Sequence, residues 1–336
     1  MENNSFPEIW EELKNSKSVL IPLHISPDGD SFGSALVMYY ILTDMGKKVT
    51  VTSAEKIGGF YDLLDEYKIV KWEVDVAQLD FAEFDTMISL DVSDPFRFLK
   101  DGEIKGFTFP SDLRIIVIDH HPGFKYFGAL NLHYPEYSST AEILDDLISN
   151  FKFKILNLKF KASKMLLLGI LSDTGFLRWA VRPELFEKVS RLMREVNYQD
   201  LWNTMLYNVP EGNKRFQGLV LKNVVYNARG RFVYSKITLA EMEQLGIPKT
   251  EAGGGSDLLK DVRGYDFSFT ITEKELGRVM ISFRSQKGVD VSVFARALGN
   301  GGGHKAAAGV LLADVSVDEA EKLVLEAIKN SSRYVV

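Results

Sequence analysis

The chain has 336 residues, of which 46% are hydrophobic and 26% charged, with a formal net charge of −6 and no cysteine. The composition is ordinary for a soluble globular protein, and the length exceeds the size at which one core usually keeps growing, so two domains are expected. Disulfides and thiolate metal sites are excluded, and without a basic run any nucleic acid bound is short and held in a pocket, not along a duplex.

The opening MENNSFPEIWEELKNSK is polar and acidic and reads as a short amphipathic helix. No apolar run approaches the ~20 residues needed to cross a bilayer, so the expectation is a cytoplasmic protein without a membrane partner. SVLIPLHIS is an apolar run of strand length ending in a loop, and SFGSALVMYYILTDMG has helical spacing closed by Gly46. KKVTVTSA, DTMISLDVS and LRIIVIDH repeat the short β-rich run, each with polar residues at its end. Such strands alternating with helices predict a parallel sheet covered on both faces. Ligands in such sheets bind outside the carboxyl ends of the strands, where His24, Asp91 and Asp119-His120-His121 fall.

Helical patterns follow from Ser138 to Asn150 and from Leu158 to Leu171, and a charged amphipathic helix from Arg182 to about Tyr207 connects the domains. A second alternating region contains RFVYSKIT, DFSFTITEKELGRVMISFRS, GNGGGHKAAAGVLL and a terminal helix near VDEAEKLVLEAIKN, with strands expected around GVDVSVFARAL. The predicted organisation is α/β: a parallel-sheet domain over residues 1–185, a helical connection over 186–228 and a smaller α/β domain over 229–336. The active site is expected in the cleft between the two domains.

Four segments carry the chemistry. In the first, His24, Asp28 and Asp30 can turn one imidazole and two carboxylates toward one volume, and Gly29 permits a backbone that other residues resist. Read alone, the same loop fits a helix cap as readily, since Asp is a preferred cap. In the second, Asp94-Pro95 is a natural cap followed by a natural first helical residue, which leaves Asp91 unexplained. In the third, the adjacent His120 and His121 point opposite ways on a strand end and divide two jobs, with Asp119 orienting one imidazole. In the fourth, Asp173 closes the apolar run MLLLGILSD, where a carboxylate is costly unless paired or metal-bound. A cap, or a buried pairing with Arg178, is the alternative for Asp173.

Taken together, HISPDGDSFGS, SLDVSD, IDHHP and LSDTG, in that order and with SSTAEIL from Ser138 to Leu144, resemble the motifs of the DHH phosphoesterase superfamily. The resemblance implies two Mn²⁺ ions, with Mg²⁺ or Co²⁺ as substitutes. It assigns the first to His24, Asp28 and Asp91 and the second to Asp30, Asp91, His120 and Asp173, so that Asp91 bridges. It also places His121 on the scissile phosphate. Carboxylates with a minority of imidazoles independently suit Mn²⁺ or Mg²⁺. Two such ions roughly 3.5–4 Å apart serve in-line displacement at phosphorus by water, without a covalent enzyme intermediate.

In the second domain GNGGGHKAAAG, from Gly299 to Gly309, sets backbone amides where a phosphate can approach, although a tight turn uses glycines as readily. With Arg284 about twenty residues upstream, the run resembles the DHH-associated nucleotide-binding domain, which makes Arg284, Gly301, Gly302, Gly303 and His304 substrate contacts. Asn300 interrupts a run that is often all glycine in the family. Arg263 is a further candidate phosphate contact, against the solvated helix surface that is the commoner fate of an Arg. Gly253 to Gly255 read as a flexible helix approach.

The resemblance implies a phosphodiesterase for linear dinucleotides such as pApA and for very short oligonucleotides (nanoRNA), measured between two anchors. It admits cyclic di-AMP as a further substrate of the same activity, and it leaves two alternatives: 3′-phosphatase action on adenosine 3′,5′-bisphosphate and RecJ-like single-strand exonuclease action. A homodimer is admitted. A nucleotide-binding regulator without catalysis has little support, because every ligand position holds a competent residue.

Overall fold

The structure, a computed structural model, describes residues 3–100, 107–122, 124–150, 159–178, 182–285, 288–299 and 301–331. It divides into two compact units, Met1–Asn208 and Val209–Val336. Among the described residues no helix is long and apolar enough to cross a membrane.

The first unit runs α1 (Phe6–Asn15), β1 (Ser18–Pro22), α2 (Gly29–Asp44), β2 (Lys48–Ser53), β3 (Val70–Trp72), β4 (Thr86–Leu90), β5 (Arg114–Asp119), β6 (Leu130–His133), α3 (Thr140–Asn150), α4 (Lys159–Asp173), α5 (Pro183–Met193) and α6 (Tyr198–Tyr207). The expected helix start at Leu158 lies outside the described residues, and the span read as one charged helix from Arg182 is broken into α5 and α6. α1 begins with a capping box, Ser5 and Glu8 satisfying each other's backbone amides. The strands form one sheet in the order β3-β2-β1-β4-β5-β6, every pairing parallel. All five residues of β4 are buried, the continuous pattern of a strand covered on both faces. The chain winds outward from β1 through β2 and β3, then returns to β4 and winds the other way. The carboxyl ends of β1 and β4 therefore flank a topological switch point, where a ligand crevice forms.

The helices reach this edge because glycine lets them approach. A Cβ on Gly33 of α2 would lie 2.6 Å from the Met165 carbonyl of α4, and one on Gly169 would lie 2.7 Å from Ala141 Cβ and 2.8 Å from Asp30 Oδ1. Gly29 differs from expectation in its reason. Its φ lies outside the left-handed region, and the constraint is space, since a Cβ there would come within 2.5 Å of Ser172 Cβ.

The second unit runs α7 (Glu211–Lys222), β7 (Val224–Asn227), β8 (Phe232–Ile237), α8 (Leu239–Gln244), α9 (Gly255–Leu259), β9 (Phe267–Glu275), β10 (Arg278–Ser285), α10 (Ser292–Ala297), β11 (Gly302–His304), β12 (Ala307–Ala313) and α11 (Val317–Asn330). Its sheet has the order β11-β12-β10-β9-β8-β7, antiparallel except for the parallel pair β8–β9. Phe232, Phe267, Phe269 and Phe283 pack with Phe294 of α10 and with Val324 and Ile328 of α11. Val233 and Ile237 point to the opposite face and pack on α7, α8 and α9. The strand expected around GVDVSVFARAL is instead α10. Val291, Phe294 and Ala295 are buried at helical spacing, and Asp290 accepts the Ser292 N–H at 3.1 Å, so tertiary packing overrides the alternating valines.

Gly33→Ala is expected to destabilise the protein by about 1–3 kcal/mol, the usual cost of overpacking. Urea unfolding checks it as a lowered midpoint at unchanged slope.

Candidate metal centre

β1, β4 and β5 are neighbours in the sheet, so the residues that follow them emerge at one edge. His24 lies two residues beyond β1, Asp91 directly follows β4, and Asp119 closes β5 ahead of His120 and His121. α2 brings Asp28 and Asp30 to the same edge, and α4 ends there on Asp173.

Each carboxylate has a local reason for its place. Asp28 caps α2, its Oδ1 accepting the N–H groups of Asp30 (3.1 Å) and Ser31 (3.0 Å), while the same oxygen lies 3.9 Å from His24 Nε2. The cap and the ligand readings of this loop thus meet in one side chain. Asp30 does not cap its own helix. Fully buried, it accepts the Thr140 N–H at 2.7 Å and the Ala141 N–H at 2.9 Å, satisfying orphan donors at the start of α3. Asp94 accepts the Phe96 N–H at 3.1 Å and opens a short 3-10 turn with Pro95, as its cap reading requires.

The two imidazoles His24 and His120 are presented alike. His24 Nδ1 lies 2.8 Å from the Ile25 carbonyl and His120 Nδ1 lies 3.3 Å from the Tyr137 carbonyl, so in each ring Nδ1 carries the hydrogen. His24 Nε2 then faces Asp91 Oδ2 at 3.6 Å, while His120 Nε2 faces Asp91 Oδ1 at 3.5 Å and Asp173 Oδ2 at 3.2 Å. His121 does not point away from His120. β5 ends at Asp119, so strand alternation lapses and the two rings lie 4.7 Å apart, both near Asp91. Asp119 Oδ1 holds His121 Nδ1 at 2.8 Å and its backbone N–H at 3.2 Å.

Three groups result: His24, Asp28 and Asp91; Asp91, His120 and His121; and Asp30, His120 and Asp173, with the ligand atoms of each within 4.8 Å of one another. Burial pushes the Asp91 carboxyl up, but the imidazoles of His120 and His24 beside it and the charge of His121 outweigh it and hold it well below the usual carboxylate range. Burial, with Asp91 and Asp173 nearby, pushes Asp30 well above that range. Burial draws the His120 imidazole down, yet Asp173 and Asp91 hold it well above an ordinary histidine.

These groups fit a hard divalent ion. His120 Nε2 is buried with no hydrogen-bond partner although two carboxylate oxygens face it, the arrangement of donors that share a cation. Oxygen donors with a minority of imidazoles suit such ions, and a ligating histidine commonly donates its other N–H to a carbonyl.

Two side chains outside the predicted set also reach the cluster. Thr140 Oγ1 donates to Asp91 Oδ1 at 3.1 Å, and it stands in the SSTAEIL segment whose match to the family pattern signalled importance without a role. Arg97 brings an exposed guanidinium within 3.5 Å of His24 Nδ1, a proximity that nothing in the sequence announces.

In the second unit Arg284 lies on β10 and pairs in register with Ala307 of β12, which pairs with His304 of β11. Its Nε donates to Asp257 at 3.1 Å, and Lys260 contacts the same carboxylate at 2.6 Å. Packing accounts for two of the glycines. A Cβ on Gly301 would lie 2.3 Å from the Ala295 carbonyl, and Gly303 has φ +130° against the Ala307 carbonyl, whereas Gly302 faces open space. Asn300 lies outside the described residues. Arg263 is exposed in the turn before β9, not on a helix, and makes no hydrogen bond or ion pair with the described residues.

Residues 18–170 match the family model described as DHH family, N-terminal domain, and residues 229–330 match the DHHA1 domain. The chain is 29% identical to the bifunctional oligoribonuclease and PAP phosphatase NrnA of Thermus thermophilus, over 96% of this chain and 95% of that protein. It is 28% identical to the cyclic-di-AMP phosphodiesterase GdpP of Geobacillus thermodenitrificans over 95% of its own length, and spans 48% of that longer protein. An exopolyphosphatase-related protein from Bacteroides fragilis shares the fold with a TM-score of 0.87 at 23% identity, covering 96% of this chain and 95% of that one.

Because these ligands must shed protons to bind, divalent-ion affinity is expected to rise with pH through the imidazole range, each binding event releasing protons. Calorimetric titration with Mn²⁺ in buffers of different ionisation enthalpy measures both, and pH-independent affinity would overturn the assignment. Asp91→Ala is expected to cost more than the ~10–100-fold in affinity that follows loss of an outer partner.

Proposed function

We propose, from the premise that this chain belongs to the DHH family and is a hydrolase of phosphate esters, that it is a phosphodiesterase working with two Mn²⁺ ions. Its substrates are linear dinucleotides such as pApA and very short oligonucleotides, cleaved to 5′-mononucleotides. The observation that carries this reading is Asp91, whose Oδ2 faces His24 while its Oδ1 faces His120 and His121. A carboxylate so placed can serve two ions at once.

His24, Asp28 and Asp91 hold one ion, and Asp30, Asp91, His120 and Asp173 the other. When bound, such a pair supplies Lewis-acid charge at the phosphate and a nucleophile from water at neutral pH. His121 steadies the charge of the scissile phosphate. Burial draws its imidazole down, but the hydrogen bond to Asp119 and the charges of Asp91 and Asp119 raise it, so it keeps its proton to higher pH than an ordinary histidine. Asp119 fixes the ring for that task. In the second unit Arg284, Gly301, Gly302, Gly303 and His304 take a nucleotide phosphate, with Arg263 an outlying contact.

The oligoribonuclease among the relatives supports the short-RNA reading, as does a net charge of −6 without a basic run. The PAP phosphatase named with it supports a second activity, removal of the 3′-phosphate from adenosine 3′,5′-bisphosphate. The GdpP relatives support action on cyclic di-AMP.

On a ladder of single-stranded RNA with Mn²⁺, dinucleotides are expected to turn over fastest. Faster turnover of long strands would overturn the proposal in favour of a RecJ-like exonuclease, and faster phosphate release from adenosine 3′,5′-bisphosphate would make the phosphatase the principal activity. Steady-state kinetics separate the two units: Asp91→Ala abolishes hydrolysis, whereas Arg284→Ala raises KM with little change in kcat.

A further inference from the structure

α3 begins inside the metal centre. The first amides of a helix have no intrahelical partner, and here those of Thr140 and Ala141 are taken by Asp30 of α2, one on each carboxylate oxygen, at 2.7 and 2.9 Å. The next, that of Glu142, is taken by Ser139 Oγ at 3.1 Å. This capping leaves the Thr140 hydroxyl free for another use. It donates to Asp91 Oδ1 at 3.1 Å, the oxygen that lies 3.5 Å from His120 Nε2 and 3.4 Å from His121 Nδ1. Thr140, Asp30 and Asp91 are all buried.

The start of α3 is also braced from behind. Glu142, fully buried, accepts from Ser138 N at 2.8 Å and Ser138 Oγ at 2.9 Å, and it pairs with Arg182 at 2.6 Å and Lys188 at 3.2 Å. Both cations lie 4.7 Å from the centroid of the Tyr137 ring. None of these contacts involves a proposed ligand, so Glu142 braces the helix start from outside the ligand set and helps present Thr140 as a fixed donor. Asp91 needs one. Its backbone has φ +61°, a conformation that persists in a non-glycine residue only where the surroundings over-determine it. A carboxylate that serves two ions must also keep one side-chain rotation.

We infer that Thr140 is a positioning residue of the metal centre, setting the orientation of the bridging Asp91 through its hydroxyl and anchoring Asp30 through its backbone N–H. The inference rests on the two-ion reading proposed above, and it gives the SSTAEIL segment a role in it.

Thr140→Val removes the donor at nearly constant shape, Thr140→Ala removes it and the bulk, and Thr140→Ser keeps it. Titration of the full chain with Mn²⁺ by calorimetry is expected to show a ~10–100-fold loss of affinity for at least one of two ions in the Val and Ala variants, the scale on which outer partners of ligands act. The Ser variant should bind nearly as the wild type does. With a dinucleotide at saturating Mn²⁺, kcat should fall in the Val variant while KM stays within about twofold. A variant that fails to fold in metal-free thermal unfolding leaves the other to report.

Wild-type affinity for both ions in the Val and Ala variants, with the wild-type protein taking up two, overturns this inference and leaves the two-ion reading standing. Equal losses in the Ser and Val variants also overturn it, since the hydroxyl would then not be the cause. A wild-type protein that takes up fewer than two ions overturns the two-ion reading and the inference with it.

Discussion

A buried carboxylate has to be given its counter-charges before anything else in the first unit can be arranged around it. Asp91 is 3% exposed, and a charge removed from water to that degree is costly unless paired. Three imidazoles meet it at 3.4 to 3.6 Å, and each is fixed by a second contact: His24 on the Ile25 carbonyl, His120 on the Tyr137 carbonyl and His121 on Asp119. Order at the centre is thereby passed outward to the loops that follow β1 and β6 and to the last residue of β5. Burial and then the charges of Asp91 and Asp173 push the Asp30 carboxyl up, and the same two carboxylates outweigh burial to hold the His120 imidazole up, so both groups are inclined to keep a proton. Divalent ions relieve such a cluster.

The helices are subordinate to that constraint. Gly33 and Gly169 let α2, α3 and α4 come close enough for Asp30 to reach the first amides of α3 and for Ser172 to lie against Gly29. Asp28 and Asp30, two residues apart, do different structural work: one ends the loop by capping its own helix, the other ties a neighbouring helix to it. Fold and site are built from the same groups, so a substitution at either aspartate disturbs both.

The second unit distributes its work differently. Its aromatic core sits on one face of a mostly antiparallel sheet, and the glycine run is an edge strand paired with β12. Close backbone packing explains Gly301 and Gly303, which leaves Gly302 as the glycine whose open face has no structural cause. Arg284 is steadied by Asp257, whose carboxyl burial would push up but which the charges of Arg284 and Lys260 hold below its usual range.

The sequence by itself determined the class of fold, most of the strands and helices of the first unit, and the residue types of a hard metal site. Those are local properties: apolar spacing sets an element's type, and caps such as Asp28 and Asp94 act within a few residues of themselves. Short strands such as β3 and β6 are not legible because three or four residues carry too little periodicity, and the alternating valines at α10 mimic a strand until Phe294 and Ala295 are buried together. Only the tertiary structure decided that His120 and His121 share a face beyond the end of β5, that Asp30 is spent on α3, that Asp91 adopts a left-handed backbone and that Thr140 touches it. Each of these depends on where one segment stops relative to another 30 or more residues away, or on how a strand end meets a loop. Distances of that kind are set by the packing of whole layers and leave no mark on local spacing.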